Sequence, residues 1–526
     1  MTAATAPARH RPADASRVAP RRAARLLWIE LRRNPMPLIL PLIAALFWFD
    51  SYRPSTGQPP IYVLRTFWNM GQGATIIDFG PLVAGMAAWI GSREGRRGTA
   101  DLVTATAPPR WAAQLITWAA TAIWAVAAYL VFVAVLFGVY AYQGVTGQPP
   151  WWWVAVGATA VAAFSAAGFA VGVFFPSRFA APLATFGGFL AMMASSQTGF
   201  REQSGWALVL PTNSNGNYEL PSGVSYSYLP DLPIARIMLL AGVAVAVLGL
   251  LGLPSRAGGR RLRLAAAAFA VSGVALAATA VALASTARLT AQGMAIPALH
   301  DAANDQPIRY TPVCGHAAGV PVCLNPAYRR YLSDVEAALA PAFSEVSGLP
   351  GAPARAAQAP GSYDGTNGMI SQAMTISGRP PVLSMVLDSL NTLPGSVGFT
   401  DSRQTATQFN AEIRVLFAHA FAGAGLGGQT PAQAAGAGAG TPAQQAVQAA
   451  LLRGAGVPFA AQPKALGIAG LLPSDMQNGN GPLPATGPVY AAAKRFAALP
   501  AATRHAWLAT HLPALRSGQL TMSQIP

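Results

Sequence analysis

The sequence predicts a mainly α fold: a polytopic helical membrane protein of about seven spans, followed by a C-terminal, mostly helical soluble domain. Three observations predict it. The stretch from Trp111 to Ser177 contains no Asp, Glu, Lys or Arg, which is room for two membrane crossings at ~20 residues each. Arginines bound the apolar runs at alternate ends, as expected where basic residues stay on one side of a bilayer. The chain is 52% hydrophobic and only 10% charged, against roughly a quarter charged residues in soluble domains. The net charge of +16 would suit nucleic acid. Its placement beside apolar runs, rather than on one soluble face, argues for anionic lipid instead and against a nucleic-acid partner.

Residues 1–34 form a basic tail. Arg21 to Arg33 has helical periodicity, with Ala24, Leu27, Trp28 and Leu31 on one face; this is the pattern of a helix lying in the membrane interface. The first span runs from about Pro35 to Phe49, with prolines suited to a helix start. No small-residue cleavage site follows it, so it reads as a retained span and not a signal peptide. The second runs from about Ala74 to Ile90 and carries Asp78 near its outer end. The third spans about Trp111 to Tyr140. A Gly- and Pro-rich turn, Gln143 to Pro150, precedes the Trp151-Trp152-Trp153 run that marks an interface. The fourth reaches Phe175 and the fifth ends near Ser196. A long polar loop, Thr198 to Ala235, separates these from the sixth span, Ile237 to Leu253, and the seventh, Leu264 to Thr286. Residues 35–253 thus form a six-span core, 254–286 a loop and added span, and 287–526 a soluble domain.

Arginine sets the expected topology. Arg9, Arg11, Arg17, Arg21, Arg22, Arg25, Arg32, Arg33, Arg93, Arg96, Arg97, Arg110, Arg178, Arg256, Arg260, Arg261 and Arg263 fall on one side, and only Arg53, Arg65, Arg201 and Arg236 on the other before the seventh span. The first side is the cytoplasm by the positive-inside rule. A multi-pass protein of the cytoplasmic membrane follows, its N-terminus inside and residues 287–526 outside.

The loop after the second span reads Arg93-Glu94-Gly95-Arg96-Arg97-Gly98-Thr99-Ala100-Asp101-Leu102 and continues through Pro109 to Arg110. Both charge signs on a short stretch suit docking on a soluble partner, and Thr99 suits a helix N-cap. A plain solvated turn holding positive-inside charge is the other reading. With the interfacial helix ahead of the first span, this loop resembles the permease subunits of ATP-binding-cassette exporters of the second type. In those subunits Glu, then Gly-Thr, an amphipathic stretch, and Pro and Arg precede the third span. The resemblance covers about Arg21 to Leu253. It implies a permease subunit of an ATP-driven exporter, a coupling role for Glu94, Arg97, Gly98, Thr99 and Asp101, a separate ATPase subunit, and a second permease half, identical or similar. The seventh span and the large soluble domain depart from the family pattern, and the resemblance carries no substrate.

The chain itself lacks a P-loop. Its two lysines, Lys464 after Pro463 and Lys494 after Ala493, do not follow a glycine-rich loop, so neither is set to reach a phosphate chain. No HExxH or GxSxG motif is present, so neither an enzyme nor a cofactor is expected. The only cysteines, Cys314 and Cys323, lie in CGHAAGVPVC. Outside the cytoplasm the pair reads as a disulfide; the alternative recruits His316 and His300 as further metal ligands, although the spacing matches no standard zinc site.

Further candidates carry structural alternatives. Asp78 is an intramembrane carboxylate or an interfacial one. Gly168 and Gly172 form a small-xxx-small pair suited to close helix packing. Asp401 to Ala422 carries Phe409, Ile413, Leu416 and Phe417 on one face, with Glu412 and His419 either in the core or near a ligand. Pro326 to Val346 reads as helix broken at Pro341, Gly423 to Gly456 as partly linker-like, and Val489 to Arg516 as helix interrupted at Pro500 and Pro513. A membrane-anchored extracytoplasmic binding or sensing protein without transport is the alternative reading of the whole.

Overall fold

A computed structural model describes residues 20–51, 79–96, 109–142, 149–201, 204–210, 226–227, 229–254, 259–290, 292–301, 305–360, 374–387, 402–423, 440–469 and 487–526. These residues are mostly helical. Helix α1 spans Pro20–Arg33, and a 3-10 turn at Met36–Leu38 leads into α2, Leu40–Ser51. Then come α3, Gly80–Gly91, and a one-turn α4, Arg93–Arg96. The long helices follow: α5, Arg110–Tyr142; α6, Trp151–Phe174; α7, Ala180–Arg201; a one-turn α8, Gly205–Leu208; α9, Asp231–Leu250; and α10, Gly259–Ala284.

Every apolar run read from the sequence contains helix. Among the described residues four helices, at Arg110–Val139, Trp151–Phe174, Asp231–Leu250 and Arg260–Ala284, are long and apolar enough to cross a membrane. Helices α2 and α3 have 12 residues each, about 18 Å at 1.5 Å per residue, short of a ~30 Å hydrocarbon core. The Ala-rich seventh run is among the four.

Small residues govern how these helices pack. A Cβ placed on Gly168 of α6 would lie 2.0 Å from the Ala84 carbonyl oxygen of α3, and one on Gly172 would lie 2.0 Å from that of Ala88. The two backbones therefore touch, and the small-xxx-small spacing is the reason. Helices α9 and α10 interlock in the same manner: a Cβ on Gly242 would meet Ala277 N at 2.7 Å, on Gly249 Ala270 N at 2.4 Å, and on Gly273 Ala246 N at 2.3 Å. Polar ties hold other ends. The Trp111 indole of α5 donates to the Leu248 carbonyl of α9 at 2.9 Å, and the Trp124 indole donates to the Leu31 carbonyl of α1 at 2.9 Å.

The start of α9 corrects the sequence reading. The polar loop was expected to continue to Ala235. Instead the helix begins at Asp231, which is 1% exposed. An aspartate in the first turn complements the helix dipole, and Pro233 is tolerated there because first-turn N–H groups have no intrahelical acceptor. Asp231 Oδ2 accepts the Ile296 N–H at 2.7 Å. That bond ties the helix to the hairpin of β1, Arg288–Thr290, and β2, Gly293–Ala295, which follows α10. Arg236, also buried, donates from Nε to the Leu208 carbonyl at 3.0 Å and lies 5.0 Å over the Trp153 ring.

Residues after 310 bury a core of their own, drawn from Ala317 to Ile525 and separate from the clusters among the apolar helices. This region was expected to be mostly helical, and it contains a five-stranded mixed sheet. The strands are β3, Val313–Ala317; β4, Val320–Leu324; β5, Arg355–Gln358; β6, Met374–Ser377; and β7, Val382–Met385, in the order β3-β4-β5-β7-β6. Strands β4, β5 and β7 run parallel, and antiparallel hairpins close both ends. Helix α11, Leu332–Val346, crosses from β4 to β5, as a parallel pair requires. The remaining helices are α12, Ser402–Ala422; α13, Pro442–Gly454; α14, Gln462–Ile468; α15, Pro488–Ala498; and α16, Ala501–Arg516.

One further correction has a clear cause. Helix α11 runs unbroken through Pro341. Proline cannot donate to the carbonyl four residues back; here the Arg414 guanidinium of α12 supplies a donor to that carbonyl, Ala337 O, at 3.4 Å, and another to Ala338 O at 3.0 Å. Of the Ala/Gly/Gln-rich stretch, residues 424–439 lie outside the described residues; its C-terminal part is α13, started by a capping box in which Thr441 Oγ1 accepts from Gln444 N and the Gln444 side chain accepts from Thr441 N. That reciprocal pair satisfies two otherwise open donors. As expected, Pro500 separates α15 from α16, whereas Pro513 lies within α16.

Cys314 and Cys323 face each other in register across β3 and β4, their sulfurs bonded at 2.13 Å. A thiol-blocking reagent is therefore expected to label the intact protein only after reduction, read as two added labels by mass spectrometry. Labelling of both cysteines without reductant would contradict the bridge.

Candidate functional site

The loop singled out by sequence begins where α3 ends. The chain leaves the helix at Ser92, whose N–H donates to the Ala88 carbonyl at 2.9 Å and whose hydroxyl donates to Trp89 O at 3.0 Å. It re-enters helix for one turn as α4. The sequence placed the helical start later, at Thr99, which lies outside the described residues. Arg96 folds back on α3: its guanidinium lies 3.6 Å over the Trp89 ring and donates to Trp89 O at 3.0 Å. Cation and ring attract through the ring's negative face.

Three contacts fix this turn to its surroundings. Arg93 Nη2 lies 3.5 Å from Glu30 Oε2 on α1, with both side chains partly exposed. An exposed pair of this kind contributes at most about 1 kcal/mol, so its value is in registering α4 against α1. Gly95 lies against Pro176 in the turn between α6 and α7; a Cβ there would come within 2.3 Å of Pro176 Cβ. Gly91 lies against Phe169 of α6, where a Cβ would come within 2.4 Å of the carbonyl oxygen. Glu94 lines a small cleft of about 40 Å³ together with Arg93, Arg110, Gln114, Thr117 and Pro176. The start of the loop thus contacts α1 and the α6–α7 turn, and it shares a cleft with the start of α5.

Of the five residues given a coupling role by resemblance, the structure describes Glu94. Arg97, Gly98, Thr99 and Asp101 lie outside the described residues, and so does Asp78. Lys464 and Lys494 are exposed on α14 and α15.

The other candidates resolve into structure. His316 is exposed on β3, and His300 pairs with Asp305 at 2.5 Å. Among the described residues no group of three or more His, Cys, Asp or Glu is placed to hold a metal ion. Glu412 and His419 are buried on α12, 1% and 8% exposed. His419 borders the core beside Gln448 of α13, and burial pushes its imidazole down to about 4. Core packing, the plainer reading, accounts for both. The buried Asp231 and Arg236 were missed, because Pro230-Asp231-Leu232-Pro233 looks like loop; Asp and Pro together at a first turn are the signal that finds this helix start. A search of protein-family models, curated proteins and solved structures finds nothing that matches this chain.

Proposed function

We propose that this chain is the transmembrane permease subunit of an ATP-driven exporter, working with a separate ATPase that docks on the 93–110 loop. The observation that carries the reading is the seating of the loop's first turn. Glu94 and its neighbours bridge α1, through Arg93 and Glu30, and the α6–α7 turn, through Gly95 and Pro176. A docked partner can shift a conformational equilibrium only through contacts that differ between states, and this turn offers contacts to several helices at once. On this reading the Arg-bearing end faces the cytoplasm, residues 287–526 lie outside, and a second permease half completes the transporter. The absence of a P-loop lysine in the sequence supports a separate ATPase.

The test uses the full-length tagged chain purified from membranes of its native host. A P-loop ATPase is expected in near-stoichiometric amount, and the chain alone is expected to hydrolyse no ATP. Glu94→Ala combined with Arg97→Ala is expected to leave insertion and elution profile intact and to lower the recovered ATPase about tenfold, the effect of losing ~1.4 kcal/mol of charge-assisted contact. Hydrolysis by the isolated chain would end this reading. Undiminished ATPase recovery in the double variant would remove the two residues from the coupling role.

A second reading, a membrane-anchored extracytoplasmic binding or sensing protein, is favoured by one observation: the residues after 310 bury a core independent of the apolar helices. On that reading no ATPase accompanies the purified chain.

A further inference from the structure

An apolar groove of about 860 Å³ runs between α2, α3 and α7. Leu82, Met86 and Trp89 of α3 floor it, Leu46 of α2 forms one wall, and Phe186 and Phe189 of α7 form the other. At its base α3 and α7 touch, since a Cβ on Gly85 would come within 1.9 Å of Thr185 Oγ1. The upper walls are open: Phe186 is 62% exposed. The volume is in the range of about 300–1,000 Å³ typical of sites that enclose a small ligand.

The groove is asymmetric in charge. At the Arg-bearing end, Arg96 stacks on Trp89, a residue of the floor, at 3.6 Å. In the turn that leads into α7, Arg178 lies 5.1 Å over Phe179, one helical turn before the groove residue Pro182. Floor and wall each bring a guanidinium to the same end, and among the described residues lining the groove none is acidic. We propose that this groove seats an anionic phospholipid, its acyl chains along Leu82, Met86, Phe186 and Phe189 and its phosphate at the Arg96 end. Apolar walls match the chains, and guanidinium groups near a bilayer surface attract anionic headgroups. A second copy of the chain is the poorer occupant. A two-fold partner in the same membrane would bring its own Arg96 and Arg178 to the same depth, setting like charges together. The proposal goes beyond the permease reading and holds whether or not the chain transports.

The test is native mass spectrometry of the full-length chain in neutral detergent, titrated with phosphatidylglycerol, phosphatidylcholine and inorganic phosphate. Phosphatidylglycerol is expected to be retained about fivefold better than phosphatidylcholine, as ~1 kcal/mol from Arg96, the arginine that sits on the groove floor, implies. Arg96→Gln is expected to bring that preference near parity with both lipids still bound. Phe186→Ala with Phe189→Ala is expected to lower retention of both lipids. Arg260→Gln, a change at the same end but away from the groove, is expected to leave the preference as it was. Inorganic phosphate in equal amount is expected not to displace the lipid. Equal retention of the two lipids by the unaltered chain would overturn the site. So would a preference indifferent to Arg96→Gln, full displacement by inorganic phosphate, or cross-linking of Phe186→Cys between two copies with no lipid retained.

Discussion

Leucine in place of Gly168 is expected to disrupt the packing of α3 on α6 and to lower the protein's thermal midpoint in detergent well below that of the unaltered chain. The Cβ alone would lie 2.0 Å from Ala84 O, with Ala84 C and Cα each at 2.6 Å. All three atoms are backbone, so no side chain can swing away. Overpacking a tight contact typically costs about 1–3 kcal/mol and occasionally more, and here the helices must part by more than an ångström to admit the side chain. Gly138→Leu on α5 is the control: nothing lies within 4 Å of a Cβ there, and leucine is the better helix former. Equal midpoints for the two variants would show that α3 and α6 do not meet through Gly168.

The second large effect is a loss of stability in acid, located in the residues after 310. Burial lowers the His419 imidazole to about 4 from the usual 6.5. The unfolded chain therefore binds a proton more readily than the folded one between those values. Stability from this group is complete above about pH 6.5, falls as the pH drops, and has been fully lost near pH 4. A depression of this size corresponds to ~3 kcal/mol. His419→Gln, which keeps a polar group beside Gln448 and cannot take up the proton, is expected to flatten that part of the profile. Denaturant unfolding at pH 7 and pH 4.5, compared between the two chains, measures it. An identical loss in both would place the acid sensitivity elsewhere.

The apolar helices were legible because their signal is long and repeated. Each apolar run is bounded by arginine, and each contains helix. Gly168 and Gly172 were readable too, since spacing alone puts them on one helix face. What sequence did not yield were features that depend on a distant partner. The strands β3 to β7 are four or five residues each, too short for an alternating pattern to stand out, and the two parallel pairings, β4 with β5 and β5 with β7, join segments that are not neighbours in the chain. The continuity of α11 through Pro341 rests on an arginine more than seventy residues later. The burial of Asp231 rests on an amide sixty-five residues later. At the candidate site, charge signs and Gly-Thr spacing were visible, whereas the contacts of Gly95 with Pro176 and of Arg93 with Glu30 belong to tertiary structure.

The interlocked glycines and alanines of α9 and α10 limit how anything can be passed between the apolar helices and the residues beyond. Backbone sits against backbone at Gly242, Gly249 and Gly273, which leaves no smooth surface for one helix to slide along the other; a shift of register would drive carbonyls into Cα atoms. Asp231 grips the amide of Ile296 at one end, and Trp111 holds Leu248 O at the other. The pair is consequently a strut. It can tilt or turn as one piece, which is how packed elements with no continuous deformation available to them move, and it joins the Trp111 contact at one end to the β1–β2 hairpin at the other.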